Sequence, residues 1–274
     1  MVGYPAVLVG TEGSPSGETA VRLAAQIAAR AALPLTVITV WEDETPDGNG
    51  DFAHTKDVRR DYAWATRVAE AARAAAIGAG VTTVSDHRPN GGAAETIADL
   101  ARDHPDDLLV LGRAGLSRPV SRLAGSVANH LSHNSEADVL FAHRPLPESG
   151  PGRMALATDG SAGSREAVRR GIRLIRAIGG RPELLTIAKD EDEGSRLIAA
   201  SAAELELDEP DLPVDQRIVT GLLPGRVLIE VAADYDLLVI GNRKMSGRGR
   251  LLGSVANKVS HGAQTNLLLV NTSS

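Results

Sequence analysis

Two stretches of this 274-residue chain are near-copies of each other. DLLVLGRAGLSRPVSRLAGSVANHLSH fills residues 107–133, and DLLVIGNRKMSGRGRLLGSVANKVSH fills 236–261. Each is an apolar run ending in glycine, then a loop rich in Gly, Ser and Arg, then Gly-Ser-Val-Ala-Asn opening a helical pattern. Upstream, Thr11-Glu12-Gly13-Ser14 returns as Thr158-Asp159-Gly160-Ser161, and Ala20-Val21-Arg22 as Ala167-Val168-Arg169, both at an offset of 147 residues. The later motif repeats at offsets of 129 before its loop and 128 after it, so the second copy has lost about eighteen residues from its middle. A duplication of this length decides domain count more sharply than chain length does.

Two domains are therefore expected, at 1–146 and 147–274. The stretch 144–152 lacks apolar periodicity and is rich in Pro and Gly, so it reads as the linker. Short β-branched or apolar runs predict strands at 6–9, 35–40, 81–85, 108–111 and 139–142, and again at 154–157, 183–187, 214–219, 237–240 and 267–270. Helical patterns lie between them, at 16–32, from 57 onward with apolar or small residues on one face and arginines on the other, at 93–102, at 126–133 and at 193–207. The alternation predicts an α/β fold made of two tandem doubly wound, Rossmann-like domains, each a five-stranded parallel sheet flanked by helices. Each half ends in an apolar strand that would lie at an open sheet edge, so the halves are expected to pair through those edges about a pseudo-two-fold axis.

Composition excludes several functions. Absence of cysteine rules out disulfides, thiolate metal sites and cysteine nucleophiles. A net charge of −6 disfavours sequence-independent binding to nucleic acid or acidic lipid. No apolar run approaches the ~18 residues of a membrane span and no basic leader opens the chain, so a cytoplasmic protein is expected. Arginine far outnumbers lysine, which occurs only at Lys56, Lys189, Lys244 and Lys258 and fits a GC-rich bacterial genome.

The duplicated loop has the chemistry of an anion site. Glycine accepts positive φ and lets backbone N–H groups converge, and a helix N-terminus adds free donors and a favourable dipole. Neither G-x-G-x-x-G after the first strand nor G-x-x-x-x-G-K-[ST] is present, which argues against a Rossmann dehydrogenase and a P-loop NTPase. The Gly-x2-Gly-x9-Gly-Ser spacing over Gly112, Gly115, Gly125 and Ser126, together with Asp/Glu-Gly-Ser after the first strand of each half, resembles the ATP-binding signature of the universal stress protein family. The resemblance covers almost the whole chain as two tandem domains.

That resemblance implies an adenine nucleotide, ATP with or without Mg2+, lying across the strand ends. It would place Gly10, Thr11 and Glu12 by the nucleoside, Val40 as a backbone partner of adenine, and Gly112, Arg113, Gly115, Arg118, Gly125, Ser126 and Val127 around the phosphates. In the second half it would use Ala157, Thr158, Asp159, Ala188, Gly241, Asn242, Gly247, Gly253, Ser254 and Val255. Two positions depart from the family pattern. Glu12 replaces the usual aspartate, and its extra methylene is expected to push the carboxylate toward the nucleoside. Lys244 replaces the second glycine of a loop one residue shorter, which weakens the second nest, so the first half is expected to bind more tightly.

Other motifs are read more plainly. His130 and His133 lie one helical turn apart, but the second copy carries Lys258 and His261 there, so a helix-end role outweighs a metal site, and no metal is expected. The acidic clusters 191–193 and 204–209 read as exposed helix surface. Arg243, Lys244, Arg248 and Arg250 make a basic loop suited to phosphate. Gly13-Ser14-Pro15-Ser16-Gly17 has proline where a nucleophile elbow needs its nucleophile. No catalytic residue is expected, and at most slow ATP hydrolysis. Three functions stay open: a nucleotide-dependent stress-response regulator or interaction module that could also form homodimers, a scaffold without nucleotide, and an adenine-nucleotide transferase or hydrolase.

Overall fold

A computed structural model describes residues 3–42, 60–113, 126–204, 212–242 and 253–272. The first half runs β1 (Val7–Gly10), α1 (Pro15–Ala31), β2 (Leu35–Ile38), α2 (Tyr62–Gly78), β3 (Val84–His87), α3 (Ala93–Asp103), β4 (Leu108–Gly112), α4 (Ser126–Asn134) and β5 (Asp138–Ala142). The second repeats the order as β6 (Arg153–Ala157), α5 (Ala162–Ile178), β7 (Arg181–Ala188), α6 (Glu191–Glu204), β8 (Asp215–Thr220), α7 (Pro224–Val231), β9 (Leu237–Asn242), α8 (Ser254–Gly262) and β10 (Asn266–Asn271). No described helix is long and apolar enough to cross a membrane.

Alternation along the strands builds two cores. Val7 and Val9 of β1 belong to the core on the side of the sheet covered by α1, α2, α5 and α6, while Leu8 belongs to the core on the side covered by α3, α4, α7 and α8. Helix starts follow local capping: the Ser14 hydroxyl accepts from Gly17 N at 3.2 Å, the Ser161 hydroxyl from Ser164 N at 3.2 Å, and the Asp61 carboxylate from Trp64 N at 2.7 Å. Asp61 thus opens α2 later than its periodicity suggests. The third strand is also displaced from 81–85 to Val84–His87, because Val81 N still donates to Ala76 O at 3.2 Å and closes the end of α2.

The ten strands of the described residues form one sheet in the order β3-β2-β1-β4-β5-β10-β9-β6-β7-β8. Every pairing is parallel except β5 with β10, where Leu140 faces Leu268, Phe141 faces Leu267 and Val139 faces Leu269. Leu140 and Leu268 are the same position in the two copies, and the flanking pairs exchange equivalent positions, so the two-fold passes through the Leu140–Leu268 pair. Other contacts reciprocate across it. Asn271 N donates to Asp138 at 2.7 Å, and its equivalent His143 N donates to Asn266 Oδ1 at 2.8 Å. The linker is held as well, with the Gln26 amide bonding Leu146 N at 2.7 Å and Leu146 O at 3.0 Å.

His133 of α4 lies by this axis. Burial first, then the charges of His261 and His130, push its imidazole below the ordinary histidine range. The unfolded chain therefore binds a proton that the folded chain resists, and the contribution is lost as pH falls from about 6.5 through the folded value. Urea unfolding at pH 7 and pH 5 should show the parent losing more stability than His133→Gln; equal losses would place the pH response elsewhere.

Candidate functional site

In each half the strand order reverses between two neighbours, β1 and β4 in the first and β6 and β9 in the second, with the following helices on opposite faces. The reversal leaves a crevice beyond the carboxyl ends of those strands, the usual ligand position in such sheets. Gly10 and Thr11 lie at the end of β1, where Thr11 N donates to Ile38 O at 3.0 Å before Gly13, at φ +76°, turns the chain into α1. Ala157, Thr158 and Gly160 repeat this arrangement at the end of β6, with Thr158 N donating to Leu185 O at 2.9 Å.

The backbone of Val40 is turned toward this crevice. Leu35, Thr39 and Trp41 send their N–H groups toward β3, to Thr83 O, His87 O and Pro89 O. Strand alternation then turns Val40's N–H and C=O toward β1, which has already departed at Thr11. Val40 is only 9% exposed, and neither group finds a partner among the described residues. A buried donor and acceptor side by side at a strand end call for a ligand or water. Beside them the Thr39 hydroxyl is buried and has no partner among the described residues, whereas its counterpart Thr186 donates to Thr158 O at 2.9 Å.

Glu12 turns back toward the start of α1. Its carboxylate folds back to accept from the Ser14 hydroxyl and lies over Gly17, where a Cβ would stand 2.8 Å from Glu12 Oε2. In the second half the equivalent of Gly17 is Ser164, whose hydroxyl lies 3.1 Å from Thr158 Oγ1 and accepts from Asp159 N at 3.3 Å. The longer acid and the missing side chain are thus one paired exchange. Asp159 stays short and forms a local turn, accepting from Ser161 N at 3.0 Å. Burial raises its pKa, but hydrogen bonds with Ser161 and Ser164 outweigh that and hold it below the ordinary carboxylate range.

Several expected ligands are placed otherwise. Arg113 is buried, and its guanidinium donates to Ala263 O and, at 3.3 Å, to Ser260 O in the other half. Its counterpart Asn242 donates to Ser132 O at 3.1 Å. Both side chains stitch the two-fold seam, because the residue after each strand-end glycine points across it. Gly112 does admit close approach, but of α1: a Cβ there would stand 2.7 Å from Ser16 O, and one at Gly241 would stand 3.0 Å from Gly163 O. Ala188 gives its carbonyl to Gly221 N at 2.8 Å, and the residue in Val40's register is Ile187. Ser126 opens α4, with half-buried Val127 next in the helix. Gly253 caps α8, exposed Ser254 and Val255 open it, and a Cβ at Gly253 would meet nothing within 4 Å. Gly115, Arg118, Gly125, Arg243, Lys244, Gly247, Arg248 and Arg250 lie outside the described residues, as does the side chain of Ser126.

The Arg113 placement has a direct test. Arg113→Ala should cost about 1–2 kcal/mol in chemical unfolding, since it removes charge-assisted bonds to two carbonyls, while leaving nucleotide affinity unchanged. A loss of affinity without a loss of stability would return Arg113 to the phosphates.

Residues 3–143 and 152–271 each match the model of the universal stress protein family. Universal stress protein Rv2623 of Mycobacterium tuberculosis (strain ATCC 25618 / H37Rv) is 27% identical over 296 residues, which cover 97% of this chain and 96% of the relative. Universal stress protein Rv1636 of the same organism is 32% identical over 150 residues, 52% of this chain and 99% of its own length, so it corresponds to a single half. The crystal structure of a universal stress protein from Archaeoglobus fulgidus DSM 4304 superposes with a TM-score of 0.71 over 98% of this chain and 99% of that one; at 16% identity it speaks for the fold.

Proposed function

The chain belongs to the universal stress protein family in its tandem form, and we propose that it is a nucleotide-dependent stress-response module whose first half binds ATP in the β1–β4 crevice. The observation that carries this reading is that the N–H and C=O of buried Val40 have no partner among the described residues. A donor and an acceptor on one backbone residue match the Watson–Crick edge of adenine, whose N1 accepts and whose N6 donates. The folded-back Glu12 supports it, because the space beyond Thr11 is left to the ligand. Gly115, Arg118, Gly125 and Ser126 would hold the phosphates, and Mg2+ would bridge phosphate oxygens. The second half binds more weakly in this reading, for Lys244 stands where the nest needs its second glycine. The two halves divide at 146/147, and the protein acts in the cytoplasm.

Mass analysis of nucleotide released from purified protein, followed by calorimetric titration with ATP, AMP and cyclic AMP, tests the proposal. Gly115→Ala should remove most binding. Gly253→Ala is sterically silent and should leave the tighter site intact. If Gly253→Ala abolishes binding while Gly115→Ala binds like the parent, the second half is the site. If no adenine nucleotide binds either half, the scaffold reading replaces this one, and multiple-turnover release of ADP or AMP would favour the enzyme.

A further inference from the structure

Between α1 and α2 of the first half lies a groove of about 390 Å3 whose rim reaches Thr11 and Gly13. Its walls are Val21, Val68, Ala71 and Ala72, with Trp64 buried at one end. Alanine at successive turns of α2 keeps the two helices from filling the space. Arg22 and Arg67 stand at the rim with Glu18. Arg67 has no acidic partner among the described residues, and Arg22 reaches only Glu18, at 4.0 Å, with both side chains more than 60% exposed. So loose an ion pair holds little energy, and the rim keeps an excess positive charge.

The other half engages the corresponding hydroxyl with side chains that the first half lacks. Leu197 stands against Gly160 as Val68 stands against Gly13. There the Thr158 hydroxyl is engaged by Ser164 at 3.1 Å and Ser201 at 3.0 Å. In the first half those positions hold Gly17 and Ala72, and the Thr11 hydroxyl, in a residue only 7% exposed, accepts from Gly13 N at 3.2 Å and donates to no described residue. An apolar slot beside an aromatic wall, a cationic rim and a spare buried hydroxyl form one recognisable set.

We propose that this groove is a second ligand site, for a small planar aromatic monoanion. The ring system lies against Trp64 and the alanine wall, and the anionic group meets Arg67 and Arg22. The groove meets the nucleotide crevice at Thr11, and the test separates the two.

The probe is 8-anilinonaphthalene-1-sulfonate, titrated into the full chain and followed by its emission when tryptophan is excited. Saturable binding of one probe per chain is expected. Ala71→Trp, at an exposed groove position, and Arg67→Glu should each weaken it at least tenfold while thermal melts stay like the parent's. N-phenyl-1-naphthylamine, which lacks the sulfonate, should bind at least tenfold more weakly than the sulfonate, and saturating ATP should leave the probe in place. Parent-like binding by either variant, equal binding of the neutral compound, or displacement by ATP overturns the proposal; displacement would assign the groove to the nucleotide instead.

Discussion

Asp138→Ala is expected to cost roughly 3 kcal/mol of unfolding free energy, against about 1 kcal/mol for Asp138→Asn. The Asp138 side chain is fully buried at the start of β5. It accepts from Asn271 N at 2.7 Å, Tyr4 OH at 2.7 Å and Arg170 at 3.1 Å, so it ties the N-terminal segment, β10 and α5 to one point. Alanine would strand all three donors. Arg170 is 35% exposed and partly regains water, which holds the loss at the lower end for a broken buried pair. Asparagine keeps an acceptor for Asn271 N, as Asn266 already does for His143 N at the equivalent position. Equal losses in the two variants would show that packing volume matters there and hydrogen bonding does not.

The same residue carries a pH signature. Burial pushes the Asp138 carboxyl above the ordinary range, although Arg170, Tyr4 and Asn271 pull it back. A folded value above the unfolded one means that the group favours the folded chain most at acid pH, and that this contribution declines as pH rises from about 3.8 through the folded value. The advantage of the parent over Asp138→Asn should therefore be larger at pH 4 than at pH 7 in urea unfolding. A larger advantage at pH 7 would mean that the Arg170 pair outweighs desolvation.

Gly17→Ala is expected to weaken ATP binding at least tenfold, about 1.4 kcal/mol, and Glu12→Asp in the same chain to restore most of it. A methyl group at Gly17 would stand 2.8 Å from Glu12 Oε2 and 2.6 Å from Thr11 Oγ1. Thr11 can shift to admit such a neighbour, because Thr158 stands beside Ser164, which carries a Cβ at the same place. Glu12 cannot stay. Its carboxylate would swing into the crevice and repel the phosphates, whereas aspartate is short enough to remain in the turn as Asp159 does. Glu12→Asp alone should bind like the parent or better. Calorimetry on the two single variants and the double gives the coupling directly, and additive effects would show that Glu12 and Gly17 act separately.

Much of this molecule was legible in its sequence, for a physical reason. Strand and helix periodicities record which side chains meet the core, so the α/β order, the two halves and the apolar edges of β5 and β10 could be read from local pattern alone. The glycine-and-serine turns could be read too, since Gly13 and Gly160 take positive φ, and Ser14 and Ser161 cap helices within three residues of themselves. Tertiary structure decided where polar side chains point. Arg113 and Asn242 read as phosphate ligands, yet their partners lie more than a hundred residues away across an axis that exists only once β5 meets β10. Ile187 rather than Ala188 matches Val40, at the same offset of 147 residues that relates Thr11 to Thr158, since the pairs β1–β2 and β6–β7 share one register. Glu12 folds back because Gly17 leaves it room, a compensation visible only when both stand over one helix turn. Local sequence encodes burial and backbone conformation; the direction of a polar side chain depends on neighbours that the fold alone supplies.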